Sequence, residues 1–329
     1  MPSPSSRSDP IPAGTRVIAP FEDLPAEATA IAGGKGASLA RMAGAGLPVP
    51  RGFVVCAAAF ESFLERHAAR DLVLTLTDGL DVHDTTALNA TSDQLRGIIV
   101  GNPLPEELHA AIREAYRCLG AQTPVAVRSS AVSEDGEAAS FAGQQETFLN
   151  VRGDEAVARD VRECWASFFA PRAMFYRAQK GTLSDTRMAV VVQEMVLAEK
   201  SGVLFTIDPI RKRRDHMVIE AVFGLGEGVV SGMITPDHYV LDRENGAVVD
   251  EFISVQSSAV VHDLDHGGTR HVELSEAQGG VRVLGIEELE NLRTTGLHVE
   301  ALFGGPQDIE WSFRGGELLL LQSRPITTL

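Results

Sequence analysis

The sequence predicts an α+β fold of two lobes. Three observations lead there. The stretch before Met188 reads mainly as amphipathic helices with a few short apolar strands, the stretch from Met188 onward reads as closely spaced strands, and the chain closes on an alternating polar and apolar hairpin. A chain of 329 residues is long enough for one large or two medium domains with a real core. The expected division is a loose tail over residues 1–13, a first lobe over 14–190 and a second over 191–329, with a hinge near 188–196.

The elements follow in order. Met1–Ala13 is rich in Pro and Ser and has no apolar stretch, so it reads as a tail and not a signal peptide. Ala32-Gly33-Gly34-Lys35-Gly36-Ala37-Ser38 is a glycine-rich turn opening an amphipathic helix that carries Leu39 and Met42. Pro48–Gly52 is a turn feeding a strand at Phe53–Cys56. Phe60, Phe63, Leu64 and His67 keep helical spacing, as do Leu108, Ile112, Ala115 and Leu119. Val125–Arg128 is a short buried strand, and the small polar stretch Ser129–Gln145 follows it. A helical region at Glu155–Gln179 breaks at Pro171.

Strands are then expected at Met188–Val196, Gly202–Thr206, Met217–Val222, His238–Leu241 and Val248–Val255. Val261–Gly280 is polar and Gly-rich and reads as an irregular surface excursion. A helix at Ile286–Phe303 precedes the last hairpin.

That hairpin is the most informative part. Gln307-Asp308-Ile309-Glu310-Trp311 and Gln322-Ser323-Arg324-Pro325 lie on two strands joined by Gly315-Gly316. A two-residue turn would set Glu310 against Leu321 and mix polar with apolar side chains. A three-residue connection shifts the pairing by one, placing Glu310 opposite Gln322 and Asp308 opposite Arg324. Ile309, Trp311, Phe313, Leu319 and Leu321 then form the buried face, so this register is the expected one. Hard oxygens beside a guanidinium suit a metal-bound polyphosphate, because oxygens hold Mg²⁺ and a planar fork holds phosphate.

Bulk properties narrow the classes. Hydrophobic content of 44% with 22% charged residues is that of an ordinary globule, and no apolar run approaches the length of a membrane span. Three scattered cysteines (Cys56, Cys118, Cys164) argue against a disulfide framework or a zinc site and fit a reducing cytoplasm. A net charge of −16 excludes a nucleic-acid surface. The basic cluster Arg211–Arg214 reads as a solvated loop. In so acidic a chain, Lys35 and Arg128 stand out as cations within apolar or glycine-rich settings.

Single motifs are weak when read alone. Gly33–Ser38 offers backbone N–H groups and one lysine to an anion, with a surface turn as the plain alternative; its spacing is not that of a Walker loop. Arg128 ends a strand as either a core ion pair or a phosphate fork. Ser133–Gln145 is either a passive loop or a lid over phosphates. Val190–Val196 is a buried strand running into a linker, suited to an adenine edge or to a simple hinge. Phe223-Gly224-Leu225-Gly226-Glu227-Gly228 lacks the helix spacing of a dinucleotide fingerprint. His262-Asp263-Leu264-Asp265-His266 reads as a solvated loop in preference to a metal site.

Taken together, the strings resemble the ATP-binding domain of the phosphoenolpyruvate synthase and pyruvate phosphate dikinase family, which includes rifampin phosphotransferase. They are Gly33–Leu39 with Gly46–Phe53, Val127–Ala131, Glu134-Asp135 and Ala139–Val151, Ser201–Thr206, Gly224–Glu227, Gln307–Trp311 and Gln322–Pro325, in family order. The resemblance implies an ATP-grasp-like pair of lobes with ATP in the cleft. It implies that Lys35 and Arg128 bind phosphates, that Glu310 and Gln322 hold Mg²⁺, and that Arg324 acts on the transferring phosphates. It implies that Gln193, Glu194, Met195 and Val196 form the adenine hinge, that Ser140 lies in a mobile phosphate loop, and that Thr206 belongs to the ATP site. Asp308 is a secondary acidic contact or support.

Family chemistry, by the same resemblance, cleaves ATP to AMP and phosphate and phosphorylates a histidine on a carrier domain, for transfer to a small-molecule acceptor bound elsewhere. The carrier signature Gly-Gly-x-Thr-Ser-His is missing; Gly267-Gly268-Thr269-Arg270-His271 lacks the serine before its histidine. A carrier on a separate domain or partner chain is therefore expected, with no nucleic-acid or membrane partner. The rival readings are an ATP-grasp ligase that releases ADP and a silent nucleotide-binding regulator.

Overall fold

In the computed structural model, residues 16–132, 146–230, 232–263 and 268–327 are described. The expected tail over 1–13, the loop residues 133–145 with Ser140, and Leu264–His266 of the His262–His266 string lie outside them. Chain order through the first half is β1 (Ile18–Pro20), α1 (Thr29–Gly44), β2 (Gly52–Val55), α2 (Ala57–Arg66), α3 (Ala69–Thr77), α4 (Thr85–Gly101), α5 (Glu106–Leu119), β3 (Val125–Ala131), β4 (Thr147–Val151), α6 (Asp154–Ser167), α7 (Pro171–Gln179) and β5 (Met188–Glu194). Local chemistry sets several of these limits. The Asp84 carboxylate accepts from the Thr86 and Ala87 N–H groups to start α4, and Pro171 occupies the first turn of α7, where no donor is needed. The helical region expected to break at Pro171 is thus two helices, with Pro171 opening the second.

The five strands form one sheet in the order β1-β2-β5-β3-β4. Its outer face packs on α2 and α4–α6 around Phe60, Phe63, Trp165, Phe168 and Phe169, with the Phe60 and Trp165 rings 5.0 Å apart. The other face carries Val54, Ala189 and Val191 and packs on α1.

The second half runs β6 (Lys200–Phe205), β7 (His216–Phe223), α8 (Glu227–Val230), β8 (Asp237–Asp242), β9 (Val248–Phe252), β10 (Ser258–His262), β11 (Thr269–Glu273), α9 (Glu276–Gly279), α10 (Ile286–Phe303), β12 (Gln307–Arg314) and β13 (Glu317–Pro325). Six of these strands form an antiparallel sheet, β13-β12-β6-β7-β8-β9. α10 covers one face through Leu289, Leu292 and Val299 against Leu204, Ile219, Ile309 and Trp311. Leu39 and Met42 of α1 belong to this same cluster, so α1 is a wedge shared by both sheets. The fold is α+β and ATP-grasp-like.

Two expectations are corrected. Val261–Gly280 is not irregular: β10 and β11 pair antiparallel, with His262 opposite Thr269, and α9 follows with a Ser275 capping box. The β11 strand is mostly exposed on both faces, so it leaves little apolar periodicity in the sequence.

The terminal hairpin reaches the expected pairing by another route. Arg314 pairs Glu317 around Gly315-Gly316, which is a two-residue turn with φ of 59° and 79°. A bulge at Leu321 then shifts the register, so that Glu310 faces Gln322 and Asp308 faces Arg324. The buried leucines are therefore Leu318 and Leu320, at 5% and 1% exposure, and not Leu319 and Leu321.

Candidate functional site

The site begins with a break in α1. Gly33 has φ 67° and ψ 178°, non-helical values inside the helix. The Ser130 hydroxyl, from β3, enters the gap: it donates to the Ala32 carbonyl at 2.8 Å and accepts from the Gly36 N–H at 3.1 Å. It thus replaces the intrahelical bond between these two residues, which kinks a helix. Lys35 lies on the turn so formed and is half-buried. A Cβ on Gly33 would lie 2.1 Å from the Ser130 carbonyl oxygen. Gly33→Ala is expected to cost about 2–5 kcal/mol from positive φ and overpacking. Gly44→Ala, with open space around it, should shift stability by less than about 1 kcal/mol. Urea midpoints of the two variants check this.

From the same helix, the Ser38 hydroxyl donates to the Ser323 carbonyl on β13 at 2.7 Å. The Lys35 turn is thereby tied to β3 on one side and to the terminal hairpin on the other.

Arg128, two residues before Ser130 on the same face of β3, crosses between the sheets. Its Nη2 is 2.6 Å from Gln322 Oε1 and 3.3 Å from Glu310 Oε2, and its Nη1 donates to the Leu321 carbonyl at 3.1 Å. The bulge is what presents that carbonyl. One strand from the first sheet and both strands of the hairpin therefore meet at a single guanidinium, whose side chain is 13% exposed.

Farther along the hairpin, Arg324 Nε and Nη2 both lie 2.7 Å from Asp308 Oδ2. Burial pushes the Asp308 carboxyl above its ordinary range, and Arg324 opposes that shift. Asp308 thereby orients the Arg324 guanidinium, whose side chain is 43% exposed. Thr206 is fully buried: its hydroxyl accepts from the Gln307 N–H at 2.9 Å and its carbonyl from Arg243 at 2.6 Å. These contacts make it a clamp on the start of β12.

The expected hinge occupies the end of β5. Gln193 is 3% exposed and shares the inner face with Arg128 and Val191, and its Nε2 has no hydrogen-bond partner among the described residues. Glu194 pairs with Arg51 at 3.1 Å, and the Met195 N–H donates to the Pro124 carbonyl at 2.9 Å. The Val196 carbonyl accepts from the Ala198 N–H and lies 2.8 Å from His262 Nε2. His262, expected in a solvated loop, instead ends a strand, and the signal was its position after the apolar Ala259–Val261 run.

Among the described residues, no group of three or more His, Cys, Asp or Glu side chains is gathered as a metal-binding set. The Glu310 and Gln322 oxygens nevertheless converge on one cationic nitrogen, that of Arg128. Two hard oxygens are what magnesium takes from protein when phosphates supply other ligands. Among the same residues, no helix is long and apolar enough to cross a membrane.

Residues 29–329 match the family model described as pyruvate phosphate dikinase, AMP/ATP-binding domain. The chain belongs to this family. Members of the pyruvate phosphate dikinase AMP/ATP-binding family that it resembles include a probable phosphoenolpyruvate synthase of Methanocaldococcus jannaschii, 44% identical over 95% of this chain and 27% of the relative. Another, of Archaeoglobus fulgidus, is 46% identical over 91% of this chain and 40% of the relative. A rifampicin phosphotransferase of a Streptomyces species is 40% identical over 95% of this chain and 36% of the relative. The chain thus spans between 27% and 40% of these three. Among solved structures, the macrocyclase MdnC of Microcystis aeruginosa aligns at 12% identity over 75% of this chain and 64% of that one, with a TM-score of 0.23. As a pyruvate phosphate dikinase AMP/ATP-binding domain, the chain binds its nucleotide within an architecture that was legible from its ordered strings.

Proposed function

We propose that the chain is the ATP-binding catalytic module of a dikinase-type phosphotransferase, with the triphosphate lying between Arg128 and the terminal hairpin. The observation that carries this reading is the meeting of Arg128, Glu310, Gln322 and the Leu321 carbonyl at one point, next to the Asp308–Arg324 pair. Without a ligand, the guanidinium rests on oxygens that would otherwise bear on magnesium. With ATP bound, it turns to phosphate oxygens, which a planar fork binds well. Gln193 Nε2 supports a base at the hinge end, since an unmet buried donor costs about 1–3 kcal/mol and a purine ring nitrogen would satisfy it.

The proposed roles follow from position. Lys35 and Arg128 neutralise the triphosphate from the first lobe. Arg324, held by Asp308, stabilises charge developing on the transferring phosphates. Glu310 and Gln322 would hold Mg²⁺, which when bound offsets charge on phosphate oxygens. Gln193 to Val196 line the adenine end, and Ser140 and the 133–145 loop complete the proposal outside the described residues. The terminal pyrophosphoryl group of ATP passes to a histidine on a carrier domain or chain and AMP leaves; water then takes the outer phosphoryl group as inorganic phosphate, and the remaining phosphoryl group goes on to a small-molecule acceptor.

Product analysis tests the route. Incubation with a family histidine domain and [β-³²P]ATP should yield AMP and a labelled carrier. ADP alone would favour a ligase, and label at His271 of this chain would overturn the carrier assignment. In the same assay Glu310→Gln should weaken Mg²⁺-dependent ATP binding by about tenfold, the effect of one lost charge-assisted contact. Unchanged Mg²⁺ dependence would remove Glu310 from the metal site.

A further inference from the structure

His262 lies where three parts of the chain meet. It ends β10, its Nε2 is 2.8 Å from the Val196 carbonyl just past β5, and its Nδ1 contacts Asn150 Oδ1 on β4. Asn150 in turn donates from Nδ2 to the Gly268 carbonyl beside β11, at 2.5 Å. Asn150 is 5% exposed and has φ +56°, so the first lobe adopts a left-handed residue to deliver this amide. The ribbon of the second lobe is thereby fastened both to the hinge and to β4.

We propose that His262 is a positioning residue for the nucleotide, setting the hinge through Val196 and the lobe separation through Asn150, in a manner that depends on ring protonation. The proposal rests on the ATP reading given above.

Counting donors explains the dependence on protonation. Both ring nitrogens face oxygen atoms, and a neutral imidazole has one N–H. With Nε2–H on Val196, the Nδ1 lone pair points at the Asn150 oxygen. Rotating the amide only moves the mismatch, because its oxygen then meets the Gly268 carbonyl. The imidazolium satisfies every contact. Against it stands burial, which lowers the pKa of the ring; the Val196 carbonyl raises it and Arg152, after β4, lowers it further. Two acids belong to the neighbouring segments. Glu227 of α8 accepts from Thr269, the residue opposite His262, at 3.1 Å, and Asp263 follows in the chain. The network is complete below the lowered pKa and loses one contact above it. Nucleotide that needs the fastened hinge should therefore bind more tightly as the ring gains its proton.

The test is the equilibrium binding of Mg·ATP by the whole chain across about pH 5 to 8, the range in which histidine titrates, for the native protein, His262→Gln and His262→Phe. Glutamine keeps one donor for Val196 but does not titrate. The ratio of its Kd to the native Kd cancels the titration of the γ-phosphate. That ratio should approach roughly tenfold at the acid end and fall towards unity at the alkaline end, the size of one hydrogen bond to a charged group. His262→Phe should bind more weakly than the native chain at every pH. Where phenylalanine disturbs folding, seen as a lost thermal transition, the glutamine variant decides alone. A ratio that stays flat with pH overturns the proposal. Native protein that binds no ATP at any pH would instead sink the nucleotide reading itself.

Discussion

Replacing Arg324 with alanine is expected to lower phosphoryl transfer from ATP by about 10³-fold or more, the effect of an arginine that stabilises transferring phosphate, while the protein still unfolds cooperatively. The side chain is 43% exposed and contacts Asp308 at the rim of the hairpin, so little packing is lost with it. The variant should carry a distinctive pH signature. Burial already holds the folded Asp308 carboxyl above its ordinary range, and Arg324 is the largest influence in the opposite direction. An acid whose folded pKa exceeds its unfolded one loses stability as pH rises through that interval. Without Arg324 the interval widens, so the deficit of the variant should be largest near neutrality and shrink as pH falls towards about 4, the ordinary aspartate value. Urea midpoints at several pH values measure it. A variant that keeps transfer activity would remove Arg324 from the reacting phosphates.

The second large effect concerns Arg128. Arg128→Ala removes three hydrogen bonds between the sheets at once and leaves the Glu310 carboxylate facing the Gln322 oxygen without a cation. We expect a loss of about 1–3 kcal/mol in the absence of nucleotide and roughly 100-fold weaker ATP binding, from the energy of hydrogen bonds to charged groups. Arg128→Lys should restore part of the stability and little of the affinity, because an ammonium carries the charge but not the fork. Calorimetric titration and urea unfolding of both variants separate the two contributions. Equal recovery of both by lysine would mean that charge alone matters here.

Much of this was legible from the residues. The helix at Ile286–Phe303 and the strand at His238–Leu241 carry clear periodicity and lie close to where they were expected. The Glu310–Gln322 and Asp308–Arg324 pairs were reached by separating polar from apolar side chains, and this works because one face of the hairpin is buried. The bulge was not legible, since the run Leu318–Leu321 offers no alternation to show which leucines point inward. Its trace was a conflict: a glycine pair suited to a two-residue turn, beside polar pairs that require the other register. The role of Ser130 in α1 was hidden for a different reason, because it depends on a hydroxyl from a strand some 94 positions away. The contacts of His262 were likewise hidden, its partners Asn150 and Val196 being brought to it only by the packing of the β10-β11 ribbon on the first sheet.

The extra residue in β13 is Leu321. Leu318 and Leu320 point to the core, whereas Gln322 and Arg324, of the same even parity, pair on the opposite side of the ribbon. Deleting the single codon of Leu321 would leave a regular ribbon in which Gln322 still faces Glu310 and Arg324 still faces Asp308, so that pairing does not require the bulge. What the additional residue supplies is a carbonyl for Arg128, so a strand shortened by one should keep both polar pairs and give up that single tie between the sheets.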